Sequence, residues 1–123
     1  MRGVLPGETV AHAQTAAKVY ELRTYVVPDD KFAALNSRFR DHTMRIFNRY
    51  SMTSVAYFVP TDPAKSKNTL VYVLQHPSRA AADENWTKFR ADPEWTKVAA
   101  ESGVGQVMVT REFMTPTDYS PMK

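Results

Sequence analysis

The apolar positions of the chain change period from one segment to the next, and the period names the elements. "VYELRTYVV" (19–27) alternates and is rich in β-branched and aromatic residues, which predicts a strand. Pro28 ends it, and "PDD" offers an Asp N-cap and early negative charge to a helix. From Phe32 to Tyr50 the residues Phe32, Leu35, Phe39, Ile46, Phe47 and Tyr50 recur at helical spacing. "SMTSVAYFVP" (51–60) predicts a second strand, "TDPAKSKN" a polar loop, and "TLVYVLQ" (69–75) a third strand. The third strand is apolar on both faces, which places it centrally in a sheet and covers it on both sides. A second helix opens with Ser78 as N-cap and buries Ala82, Trp86 and Phe89. Asp92 and Pro93 restart it as a cap and a first helical residue, and Gly103 stops it. "GQVMVTREFM" (105–114) predicts the fourth strand, and the proline-broken tail "TPTDYSPMK" runs along a surface.

The resulting order, β-α-β-β-α-β, is the ferredoxin-like arrangement of an α+β fold with a four-stranded antiparallel sheet. Two helices cover one face of such a sheet. The other face is also apolar, since Leu70, Tyr72 and Leu74 alternate with Val71 and Val73. A large wet apolar face is unfavourable, and opposing the sheets of two copies removes it. The pattern therefore predicts a homodimer with the sheets opposed.

Composition narrows the function classes. The 123 residues are 43% hydrophobic and 24% charged, as in an ordinary single globular domain. No apolar run approaches the roughly 20 residues of a membrane span. The net charge of +3 is interleaved rather than gathered into a basic stripe, which speaks against nucleic acid as a partner. Without cysteine there is no disulfide, thiolate nucleophile or Cys-bound metal. Residues 1–18 lack the alternation that follows them. "AHAQ" resembles the end of an export signal, although Pro6, Gly7 and Glu8 interrupt the apolar stretch such a signal needs. Residues 1–18 are thus expected to be a signal remnant or a disordered leader, with the exported reading slightly favoured, and residues 19–121 the single domain.

The segments "YELRTY", "FRDHT", "LVYVL", "HPSR", "FRADPEW" and "PTDYSP" together resemble the NIPSNAP family of the dimeric α+β barrel superfamily, over residues 19–121. Ser51 departs from the resemblance, since a glycine is expected after the first helix. The resemblance implies a fold and a dimer more than an activity. Relatives in the wider superfamily include cofactor-free monooxygenases and haem-binding or haem-degrading enzymes, so a cofactor is not required and haem is an alternative.

The candidate chemistry centres on His42. At 100° per residue it lies about 60° from the apolar axis through Phe39, at the flank of the buried stripe. It is either a hydrogen-bonded core histidine or a pocket-lining base or donor. Across from it, Glu21, Arg23 and Tyr25 share one face of the first strand; Arg23 is either half of a structural ion pair or the holder of a carboxylate or enolate oxygen. His76 ends the third strand, as a solvent-facing turn histidine or a ligand contact. Tyr57, Tyr72, Trp86 and Phe89, with Tyr25, are either plain core or the lining of a mostly apolar helix–sheet cleft for a small molecule. If haem is bound, His42 and His76 are the axial candidates. No zinc motif, glycine-rich phosphate loop or nucleophile triad appears. The expected function is small-molecule binding by a homodimer, with oxygenase-like or isomerase-like chemistry through His42 and Arg23. A haem protein and a non-catalytic interaction scaffold are the alternatives.

Overall fold

A computed structural model describes residues 17–123; residues 1–16, most of the expected leader, lie outside them. Strands β1 (Val19–Val26), β2 (Thr53–Phe58), β3 (Thr69–His76) and β4 (Met108–Met114) form one antiparallel sheet in the order β2-β3-β1-β4. The first helical stretch runs through α1 (Phe32–Arg38), a π turn (Phe39–Thr43) and α2 (Met44–Arg49); the second comprises α3 (Arg79–Ala91) and α4 (Pro93–Glu101). This is the ferredoxin-like α+β arrangement the sequence predicts, with β3 internal as expected.

Local chemistry explains most of the boundaries. Ser78 Oγ accepts from the Ala81 N–H at 3.0 Å, and Asp92 Oδ1 accepts from the Trp95 N–H at 3.0 Å, with Pro93 in the first turn of α4. Gly103, just past α4, has φ +74°, and Ser51 takes φ 59°, the left-handed conformation in which glycine carries no Cβ penalty. Two expectations need correction. Neither Asp29 nor Asp30 caps a helix, because the chain enters through a 3-10 turn (Asp29–Lys31) that places both inside the first turn. Asp29 instead accepts from the Asn68 side chain at 3.3 Å. Strand β4 starts at Met108 rather than residue 105, since Gly105 has φ +73° and cannot lie in an extended ladder.

The sheet faces follow the pleat. Glu21, Arg23 and Tyr25 of β1 and Leu70, Tyr72, Leu74 and His76 of β3 point to the helices, with Arg23 opposite Tyr72 in register. There they meet Leu35, Phe39, Phe47, Trp86 and Phe89 in one buried core. Behind the sheet, Val71 and Val73 are half-buried, so β3 is only partly covered on that side. The C-terminal tail does run along this surface: Pro116 and Met122 enclose a hollow of about 420 Å³ with Tyr20, Ala56 and Val73. Phe58 and Met108 remain 57% and 74% exposed on the same face.

Candidate functional site

Two polar regions lie on the helix side of the sheet, one sealed and one open. The sealed one begins with "YELRTY", whose alternation turns Glu21, Arg23 and Tyr25 inward together. Glu21 Oε1 accepts from Trp86 Nε1 at 2.8 Å and bonds His76 Nε2 at 2.7 Å. Glu21 Oε2 accepts from Arg23 Nη1 at 2.8 Å, and Arg111 Nε stands 3.5 Å away. Arg23 also donates from Nε to the Tyr72 hydroxyl at 2.8 Å and from Nη2 to the Tyr25 hydroxyl at 3.0 Å. Tyr72 donates to Tyr25 at 2.9 Å, and the Arg23 guanidinium lies 4.1 Å from the Trp86 ring centroid.

The electrostatics of this network are mutually consistent. Burial by itself raises the Glu21 pKa, but the hydrogen bonds from His76, Trp86 and Arg23 outweigh it and hold the carboxyl at about 2. Burial opposes the charge on Arg23, yet Tyr72, Tyr25 and Glu21 around it push its pKa above the ordinary arginine value. Burial, with Tyr25 beside it, pushes the Tyr72 hydroxyl well above its usual range. An ionised Glu21 can only accept, so His76 Nε2 carries a proton. The His76 Nδ1 atom is buried without a partner among the described residues.

The open region is a cleft of about 600 Å³ between α1 with its π turn and α4. Ala34, Arg38 and His42 line one wall; Lys97, Val98 and Ser102 line the other. Arg38 is the buried member of that lining, at 7% exposure. Its guanidinium lies 5.0 Å from the Trp95 ring centroid, and Nη1 makes a long 3.4 Å hydrogen bond to Ser102 Oγ. Its Nε is buried with no acceptor among the described residues. Burial lowers the Arg38 pKa, and Tyr25 and Tyr72 on its inner side act in the opposite direction. Arg38 therefore stands between the cleft and the sealed network.

One end of the cleft is held by ions. Arg49 donates to Asp92 at 2.7 Å and to Glu94 at 2.7 Å, and Arg45 pairs with Glu94 at 2.8 Å. The Tyr50 hydroxyl also donates to Asp92. Its hydrogen bond, with those of the Trp95 N–H and Arg49, outweighs burial and depresses the Asp92 pKa. These bonds fasten the end of α2 to the start of α4.

The expected site residues divide between the two regions. Glu21, which the sequence suggested only as a partner, gathers Arg23, His76 and Trp86, and Arg23 in turn holds Tyr25 and Tyr72. Tyr57 stacks on Tyr72 at 5.2 Å between centroids, and Phe89 packs on Trp86 at 5.4 Å. These rings fill the space between helices and sheet, so the open volume lies one layer further out than expected. His76 is a correction: rather than facing solvent at a turn, it is fully buried, because Glu21 and Trp86 draw it inward. His42 is half-exposed and joins neither Glu21 nor Arg23. The π turn is the reason. Met44 N–H bonds to the Phe39 carbonyl and Thr43 Oγ1 to the Arg38 carbonyl at 3.2 Å, an under-wound turn that rotates His42 away from the sheet and into the cleft. There its Nδ1 accepts from Arg45 Nη2 at 3.2 Å, and the neutral ring presents Nε2–H.

His76 does not fit an axial haem ligand, because its ring is sealed and Nε2 is bound to Glu21. His42 faces the open cleft, with Arg45 Nη2 3.2 Å from its Nδ1.

The family model NIPSNAP matches residues 20–121. The chain belongs to the NIPSNAP family. Among curated proteins none matches significantly. Among solved structures, this NIPSNAP chain is similar to a NIPSNAP family protein of unknown function from Agrobacterium tumefaciens, at 21% identity and TM-score 0.74, covering 88% of this chain and 96% of that one. A NIPSNAP-like domain protein from Burkholderia xenovorans aligns at 15% identity and TM-score 0.73, covering 86% and 90%. A variant of SnoaB, a cofactor-independent oxygenase from Streptomyces nogalater, aligns at 18% identity and TM-score 0.56, covering 86% and 99%. These likenesses show a shared fold.

Proposed function

We propose that this NIPSNAP protein is a homodimer that binds a small, largely apolar molecule in the cleft between α1 and α4. The observation that carries this reading is the cleft itself. Its volume of about 600 Å³ lies within the usual range for small-molecule sites, and polar side chains including Arg38, His42 and Ser102 converge on it around apolar contacts at Ala34 and Val98. His42 contributes a hydrogen-bond donor, Nε2–H, because Arg45 occupies its other nitrogen. SnoaB, on the same fold, is a cofactor-independent oxygenase. By analogy, oxygenase-like or isomerase-like chemistry here would use His42 Nε2–H to donate to a substrate oxygen on which negative charge develops. Arg23, expected to hold a carboxylate or enolate oxygen, is instead half of a core ion pair, since its Nε, Nη1 and Nη2 are each engaged by a core partner. The exposed Phe58 and Met108 support a dimer closed over the open sheet face, with the tail at its edge.

Amide chemical-shift mapping with naphthalene-1-methanol tests the cleft. Shifts at Ala34, Ser37, Val98 and Ser102 are expected; binding confined to other surfaces would overturn the reading. Light scattering tests the dimer, with about twice the 14.0 kDa chain mass expected and a monomer contradicting it.

A further inference from the structure

We infer that the ligand of this cleft is an organic anion, an apolar body bearing a carboxylate or sulfonate that sits against the guanidinium of Arg38; the inference rests on the cleft being the ligand site.

A buried guanidinium without a carboxylate is costly, and proteins ordinarily pair it. The same fold does so for Arg23, which is saturated by Glu21, Tyr25 and Tyr72. Arg38 is buried to the same 7% exposure as Arg23. Among the described residues its one hydrogen bond is the 3.4 Å contact to Ser102, and no acidic side chain pairs with it. The carboxylates that share the cleft do not substitute for one. Glu94 is held by Arg45 and Arg49, and Asp41 and Glu101 are exposed. What remains is a planar donor group, steadied against Trp95, that lines a space open to solvent. Such a fork suits a two-oxygen anion. The ligand also needs an organic body, because the cleft is far larger than an inorganic ion, and Ala34 and Val98 give that body apolar contact among polar lining residues.

The test compares 1-naphthoate with its neutral counterpart naphthalene-1-methanol by amide-shift titration of the wild-type protein and of Arg38→Gln and Arg38→Lys. Naphthoate is expected to bind at least tenfold more tightly than the alcohol, with shifts at Ser37, Lys97 and Ser102. Arg38→Gln should abolish that preference while the alcohol's affinity stays within twofold, and Arg38→Lys should keep part of it. The Tm of Arg38→Gln should equal or exceed the wild-type value, because a cation held for a ligand does not stabilise the free fold. Equal affinity for the two probes in the cleft overturns the anion while sparing the cleft. Cleft shifts from neither probe overturn both. Inorganic phosphate matching naphthoate overturns the organic ligand. A large fall in Tm for Arg38→Gln makes the arginine structural and overturns the inference.

Discussion

Arg23 and Arg38 are buried equally, each at 7% exposure, yet their surroundings are opposite. Arg23 lies in a closed circuit in which Glu21 neutralises it, two tyrosine hydroxyls accept from it and Trp86 covers its face. Among the described residues, Arg38 has an aromatic face, one long hydrogen bond and an unpartnered Nε. The first arrangement is a finished piece of the core. The second is complete only when something else supplies the acceptors. The comparison separates burial from satisfaction, and it is satisfaction that distinguishes a structural charge from one kept for a ligand.

The comparison can be broken most forcefully at its most connected member. Replacing Glu21 with Ala strands Arg23, His76 and Trp86 at once, and loss of one partner of a buried ion pair costs about 3–5 kcal/mol. Urea denaturation of Glu21→Ala measures it; a loss under about 1 kcal/mol would show that the circuit is not what holds the core.

Acid titrates the same circuit. The Glu21 pKa lies near 2 in the folded chain against an ordinary 4.5, so its stabilisation is fully present above pH 4.5 and is lost as pH falls toward 2. This loss is on the order of 3 kcal/mol, read as the amount by which the acid-induced fall in unfolding free energy is smaller in Glu21→Gln than in wild type. At the cleft, Asp92→Ala removes a cap and the partner of Arg49 and Tyr50, at about 1–2 kcal/mol by urea denaturation, with broadened amide signals in α4. Ser51→Gly, in neither region, should gain roughly 0.5–1 kcal/mol by relieving a left-handed backbone, measured as a rise in Tm. A loss there would mean that the serine side chain has a role of its own.

The sequence carried its local signals well. The β1 alternation, the Ser78 and Asp92 caps, the Gly103 stop and the misfit at Ser51 all depend on neighbouring residues, and all reappear in the fold. Bonds between distant residues were less legible. Nothing local joins Glu21 to His76 or Trp86, 55 and 65 positions away, so His76 read as a turn residue. His42 was misdirected by a uniform 100° per residue, which the π turn at "FRDHT" does not obey. Arg38 went unnoticed, although it follows Leu35 by three and precedes Phe39 within the apolar stripe. A charge in that stripe is the signal that could have found it.

The two arginines can be set against each other directly by equilibrium unfolding of Arg23→Gln and Arg38→Gln without ligand. Arg23→Gln should lose about 3–5 kcal/mol, and Arg38→Gln should stay within about 1 kcal/mol of wild type or exceed it. Equal losses from the two would contradict the distinction between a satisfied and an unsatisfied buried charge.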